Sequence, residues 1–125
     1  MPIAGVGVDA VDVARFRAVL LRRPRIGERL FTEAERRDGH GDPQRLAARF
    51  AAKEATMKAL GHGIGAMGWH DVEVVREASG APALRLRASA AALARRRGVA
   101  RWHVSLTHTD TVAMAMVVAE SADAS

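Results

Sequence analysis

Residues 44–60 constrain the fold of this chain more than any other stretch, because they divide into two faces that each ask for a close neighbour. At about 100° per residue, Leu46, Phe50, Met57 and Leu60 fall within one narrow arc of a helix. Ala47, Ala48, Ala51, Ala55 and Ala59 form a second face of small residues. A helix that is bulky on one side and alanine-lined on the other can be approached from two directions, so the segment reads as the centre of the fold. It also carries charge. Glu54 and Lys58, four residues apart, line up at the border between the faces, and Arg49 and Lys53 precede them. One carboxylate among three cations on a single helix is a way to hold a metal ion and a phosphate together.

The flanking segments supply a sheet and further helices. Residues 3–8 alternate apolar side chains with glycine, which predicts a short, closely packed strand with Asp9 at its end. Val13, Phe16, Val19 and Leu20 recur at helical spacing within residues 11–23, until Pro24 stops the pattern. Thr32 with Glu35 three residues later has the form of a capping box for a short second helix, and Gly39, Gly41 and Pro43 mark a loop. Beyond the central helix, Gly61, Gly63, Gly65 and Gly68 make another loop. Val72 and Val74 pair with Leu84 and Leu86 as a hairpin around Ser79-Gly80-Ala81-Pro82. Residues 89–97 form an alanine-rich helix ending near Gly98. Residues 102–106 and 112–119 are strands separated by residues 107–111. The organisation is one domain over residues 1–120 with a frayed tail at residues 121–125.

A chain of 125 residues with 49% hydrophobic side chains can build one packed core. It has no cysteine, which excludes a disulfide framework and thiolate zinc sites and leaves carboxylates and histidines as metal ligands. Hard, oxygen-bound ions such as magnesium are favoured. No basic leader with an apolar core opens the chain, and no apolar run approaches the ~20 residues of a membrane helix, so the expectation is a cytoplasmic protein without a membrane partner. The formal charge of +5 favours anionic partners: nucleic acid, a phosphorylated cofactor or an acidic protein. Aromatic residues make up 4% and tyrosine is absent, which argues against the stacking platforms of single-strand binders. The preferred expectation is no nucleic-acid partner. A small basic nucleic-acid-binding module and a metal-dependent nucleotide hydrolase stand as alternatives.

Each candidate side chain has a plain structural alternative. Asp9 serves either as a turn former or as a metal ligand, and Glu54 either as half of a surface pair with Lys58 or as a second ligand. Magnesium takes one or two carboxylates and completes its shell with water and phosphate oxygens, so the pair would suffice. Arg49, Lys53 and Lys58 supply charge for a diphosphate, although Lys53 also falls in the bulky arc and could snorkel past the core. His108 is a strand-end histidine or a site residue, and Ser105 lacks the elbow of a hydrolase nucleophile. The first helix carries Arg15, Arg17, Arg22, Arg23 and Arg25 against Asp12, either a solvated face or one that steers an acidic partner.

Three motifs occur in order: Gly5-Val6-Gly7-Val8-Asp9 followed by Arg15-Phe16, then Arg49-Phe50-Ala51-Ala52-Lys53-Glu54-Ala55 with Lys58-Ala59-Leu60-Gly61, and finally Val104-Ser105-Leu106-Thr107-His108. Across nearly the whole chain they resemble the holo-acyl-carrier-protein synthases, a group of 4′-phosphopantetheinyl transferases. The resemblance implies an α+β fold, with a small antiparallel sheet packed around a long central helix. It implies a homotrimer with active sites between subunits. The implied activity is magnesium-dependent transfer of 4′-phosphopantetheine from coenzyme A to a serine of an acidic acyl carrier protein, as in fatty acid biosynthesis. Asp9 and Glu54 would bind magnesium and, with Lys58, form the catalytic set. Arg49, Lys58, Gly61, His108 and Thr109 would contact coenzyme A, with His108 serving a neighbouring subunit's carboxylates. Arg15 and Arg22 would meet the carrier protein. The chain departs from the common pattern at Gly80-Ala81-Pro82, where many relatives carry Gly-Lys-Pro, and His62 and His70 have no assigned role.

Overall fold

A computed structural model describes residues 2–61 and 67–122, so His62, Gly63 and Gly65 of the glycine loop and residues 123–125 lie outside the described residues. The elements follow as β1 (Ile3–Asp12), α1 (Val13–Arg22), α2 (Ile26–Leu30), α3 (Glu33–Gly39), α4 (Pro43–Ala59), a 3₁₀ turn (Trp69–Asp71), β2 (Val72–Arg76), β3 (Pro82–Leu86), α5 (Ala88–Arg96), β4 (Val99–His108) and β5 (Val112–Ser121). One antiparallel sheet has the order β1-β5-β4, and β2 and β3 make a separate hairpin. This is the expected α+β class, with α4 laid across the larger sheet.

Asp42 starts α4 by accepting from the Gln44 N–H, and Pro43 occupies the first turn, where a missing N–H costs nothing. Gly61 ends it at φ +77°, a left-handed turn that a side chain would strain. The alanine face of α4 meets β1 and β5, where Ala51, Ala52, Ala55 and Ala59 pack with Ala115 and Val117. The glycines of β1 make this contact possible. A Cβ on Gly7 would sit 1.8 Å from the Ala55 carbonyl oxygen, and one on Gly5 1.9 Å from that of Ala59. Gly7→Ala must therefore separate strand from helix. We expect it to lower stability by about 3 kcal/mol or more, read as a lower urea midpoint.

The bulky side of α4 holds a row of aromatic rings, Phe31, Phe16, Phe50 and Trp69, with successive centroids 6.2, 5.3 and 5.2 Å apart. This row anchors α1 to α4 and so fixes the exposed arginines of α1 relative to the sheet.

Some boundaries differ from those expected. β1 continues through Asp12, so Asp9 lies inside the strand, opposite Ala115, and not at its end. Val11 fits the helical spacing of α1 but also shares the parity of Gly7 and Asp9. Its pairing with Ala113 decides the matter in favour of the strand. Asp12 then caps α1 by accepting from the Arg15 N–H at 2.9 Å. After Pro24 the chain forms the extra turn α2. The start of the expected frayed tail is ordered: Ser121 ends β5 and donates to the Pro2 carbonyl at 2.8 Å, and Ala122 donates to that of Gly98 at 3.1 Å.

Candidate active site

Three of the expected residues converge where β1 crosses α4. Asp9 projects from β1, and Glu54 and Lys58 come from successive turns of α4, a meeting that the Gly7–Ala55 contact one turn away enforces. The Lys58 Nζ lies 2.9 Å from Asp9 Oδ1 and donates to the Val8 carbonyl at 3.1 Å. The Asp9 side chain is 13% exposed and that of Lys58 53%, so the site has a sheltered floor and an open, cationic mouth. The carboxyl groups of Glu54 and Asp9 are within hydrogen-bonding reach of each other. Burial, and then the Asp9 charge, push the Glu54 carboxyl above its usual range, with Lys58 opposing. The hydrogen bond to Asp9 in turn raises the Lys58 ammonium.

Two acids sharing one lysine leave negative charge that a divalent cation would neutralise. Among the described residues no group of three or more His, Cys, Asp or Glu side chains gathers in one place. The protein thus offers two oxygen donors here and leaves the remaining positions to water and ligand oxygens. That donor set fits magnesium, which binds through few carboxylates and keeps a partly open shell.

The other candidates stand apart from this cluster. His108 ends β4, two strands from β1 and in register with Val11 through Ala113, and no hydrogen bond or ion pair joins it to Asp9, Glu54 or Lys58. Thr109 is engaged in the β4–β5 turn, where its Oγ1 accepts from the Thr111 and Val112 N–H groups. Gly61 follows α4 close to Arg97. Arg49 faces the β2–β3 hairpin on another side of α4 and is 5% exposed. Arg15 and Arg22 lie on the exposed side of α1, and Arg15 borders an apolar cavity with Phe16, Val19, Ile26 and Trp69. His70 contacts the Glu28 carbonyl at 2.7 Å and ties the 3₁₀ turn to α2.

Lys53 does not belong to the phosphate-facing set. It is fully buried, and its Nζ donates to Glu35 Oε1 at 2.7 Å and to the carbonyls of Trp69 and Val72 at 2.9 and 2.6 Å. The capping-box glutamate is its counter-ion, while the other oxygen of Glu35 accepts from the Val74 N–H at 2.9 Å. The sequence signal for this pairing was slight: a capping box explained Glu35 without a second partner.

Comparison with known proteins identifies the assembly. Residues 5–117 match the family profile described as the 4′-phosphopantetheinyl transferase superfamily, and the chain belongs to that superfamily. Within it, the full-length relatives are holo-[acyl-carrier-protein] synthases, which makes the chain an enzyme of that transferase family. The protein of that name from Frankia alni is 59% identical, covering 97% of this chain and 100% of its own length. A holo-[acyl-carrier-protein] synthase structure from Neisseria meningitidis superposes with a TM-score of 0.86 at 29% identity, covering 95% of this chain and 99% of that one. One from Bacillus anthracis, in complex with coenzyme A (3′,5′-ADP), has a TM-score of 0.80 at 33% identity and covers 98% and 100%. Family membership sets the chain among transferases and not among basic nucleic-acid-binding modules. Among the described residues no helix is long and apolar enough to cross a membrane.

Proposed function

We propose that this enzyme transfers 4′-phosphopantetheine from coenzyme A to a serine hydroxyl of an acidic apo-acyl carrier protein, releasing adenosine 3′,5′-bisphosphate. The observation that carries the proposal is the cluster of Asp9, Glu54 and Lys58 at the open end of the β1–α4 contact. Asp9 and Glu54 would hold a magnesium ion, which when bound supplies positive charge to the diphosphate of coenzyme A. Lys58, exposed and able to leave Asp9, stabilises the charge that builds on the departing phosphate. The serine oxygen forms its bond to phosphorus as the bond to the departing phosphate breaks. Its proton passes to a water that Glu54 orients. Arg49, Gly61, His108 and Thr109 contribute contacts to coenzyme A, and Arg15 and Arg22 on exposed α1 meet the carrier protein's acidic surface.

The outer face of the β1-β5-β4 sheet supports assembly as a homotrimer. Val6, Val8, Met114 and Met116 are 54, 51, 41 and 51% exposed there, an apolar stripe that a second copy of the chain would cover. The distance of His108 from Asp9 along the sheet agrees with a role at a neighbour's site.

The test is incubation of the protein with coenzyme A, magnesium and a panel of apo carrier proteins, followed by mass spectrometry. A gain of one phosphopantetheine on the acceptor serine is expected, and chelation of magnesium should abolish it. A folded enzyme that modifies no carrier protein would overturn the proposal.

A further inference from the structure

We infer that His70 is a positioning residue for the carrier protein: it pins α2 to the 3₁₀ turn and so fixes one wall of the face on which α1 presents Arg15. The inference rests on the reading of an acyl carrier protein as the acceptor that meets α1. It gives a role to a histidine outside the carboxylate cluster.

The need for this contact arises from α2 itself. That helix has only five residues and no side-chain cap at its start, so it has little stability of its own. Its last carbonyls have no partner within the helix. The Thr32 N–H, which would bond the Glu28 carbonyl if α2 ran on, turns instead to Glu35 Oε1 at 3.0 Å as part of the capping box of α3. His70 supplies the missing donor. Its Nε2 lies 2.7 Å from the Glu28 carbonyl oxygen, and because that oxygen can only accept, Nε2 carries the proton.

The 3₁₀ turn is a firm anchor for such a clamp. Lys53 donates to the Trp69 carbonyl at 2.9 Å, and the Trp69 ring packs 5.2 Å from that of Phe50, about one helical turn before Glu54. His70 therefore places α2 relative to the same stretch of α4 that carries the site carboxylate. Between these elements lies a cavity of about 470 Å³, walled by Phe16 and Val19 of α1, Ile26 and Leu30 of α2, Phe50 and Trp69, with Arg15 at its border. A protein that pairs with Arg15 lies over this cavity, so its fit depends on where α2 stands. The His70 contact is exposed, and its loss should cost the fold little while leaving α2 free to shift. The residues proposed to contact coenzyme A, from Arg49 to Thr109, lie on neither α2 nor the 3₁₀ turn.

Steady-state kinetics of the full chain, with coenzyme A and an apo carrier protein varied in turn and thermal unfolding measured alongside, tests this role. His70→Ala should raise the KM for carrier protein about fivefold, the effect of one net hydrogen bond, with kcat and the KM for coenzyme A within about twofold of wild type and Tm nearly unchanged. His70→Gln, whose side-chain amide can donate to the same carbonyl, should recover most of the loss. An unchanged carrier-protein KM in His70→Ala, an equal rise in both Michaelis constants, or a His70→Gln variant as impaired as His70→Ala would overturn the assignment while leaving the transferase reading in place. A wild-type protein that modifies no apo carrier protein would bring both down.

Discussion

Replacing Lys53 with methionine should lower the free energy of unfolding by about 3–5 kcal/mol, the usual consequence of removing one partner from a buried ion pair. All three ammonium hydrogens of Lys53 are used, by Glu35 and by the carbonyls of Trp69 and Val72. Burial pulls the Lys53 pKa down, and the charge of Glu35 and its hydrogen bond oppose that pull. Without the lysine, Glu35 remains fully buried with two backbone N–H groups as partners, and two carbonyls lose theirs. The pair links α3, α4, the 3₁₀ turn and β2, so the loss should appear as a cooperative shift of the whole urea transition with an unchanged slope. Adding Glu35→Gln to Lys53→Met removes the stranded charge but keeps a capping acceptor, and should recover part of the stability. A cost below about 1 kcal/mol for the single variant would mean that water or a rearranged Glu35 replaces the contact, and the proposed strut would be wrong.

How far the sequence foretold this arrangement depends on the range of each interaction. The two faces of α4 were legible because a period of 3.6 residues is a local property, and the glycines of β1 are where the alanine face requires them. The Thr32–Glu35 capping box and the β2–β3 hairpin were legible for the same reason. Lys53 was not. Its neighbour Glu54 faces the site while Lys53 faces the core, and only the position of Glu35, eighteen residues earlier, fixes that difference. The end of β1 was also misjudged, because Val11 satisfies both strand and helix periodicities and its partner Ala113 lies at the far end of the chain. In the candidate site, Asp9, Glu54 and Lys58 came together as expected. His108 could not be placed from its motif, since its relation to Asp9 depends on strand order and, in our reading, on a second subunit.

Asp9→Asn and Glu54→Gln should each reduce transfer by about 10³-fold or more, because a metal's charge stabilisation amounts to several kcal/mol and each variant turns one of the two carboxylates that would hold it into a neutral amide. Stability should respond differently. The folded state raises the Glu54 carboxyl, so that group binds protons more readily when folded than when unfolded. Ionising it therefore works against folding. In metal-free protein the contribution of Glu54 to stability should fall as pH rises from the ordinary carboxylate range through the raised folded value, and stay low above it. Glu54→Gln has no such titration. Thermal unfolding of the two proteins between about pH 4 and pH 7 should show the variant gaining on the wild type as pH rises, with its Tm at neutral pH equal or higher. A residue that only holds the fold together would give the opposite result, a less stable variant at neutral pH. Near wild-type turnover by either variant would sink the metal assignment, whereas lost turnover in a protein that melts no earlier would identify these carboxylates as groups kept for chemistry at the expense of the fold.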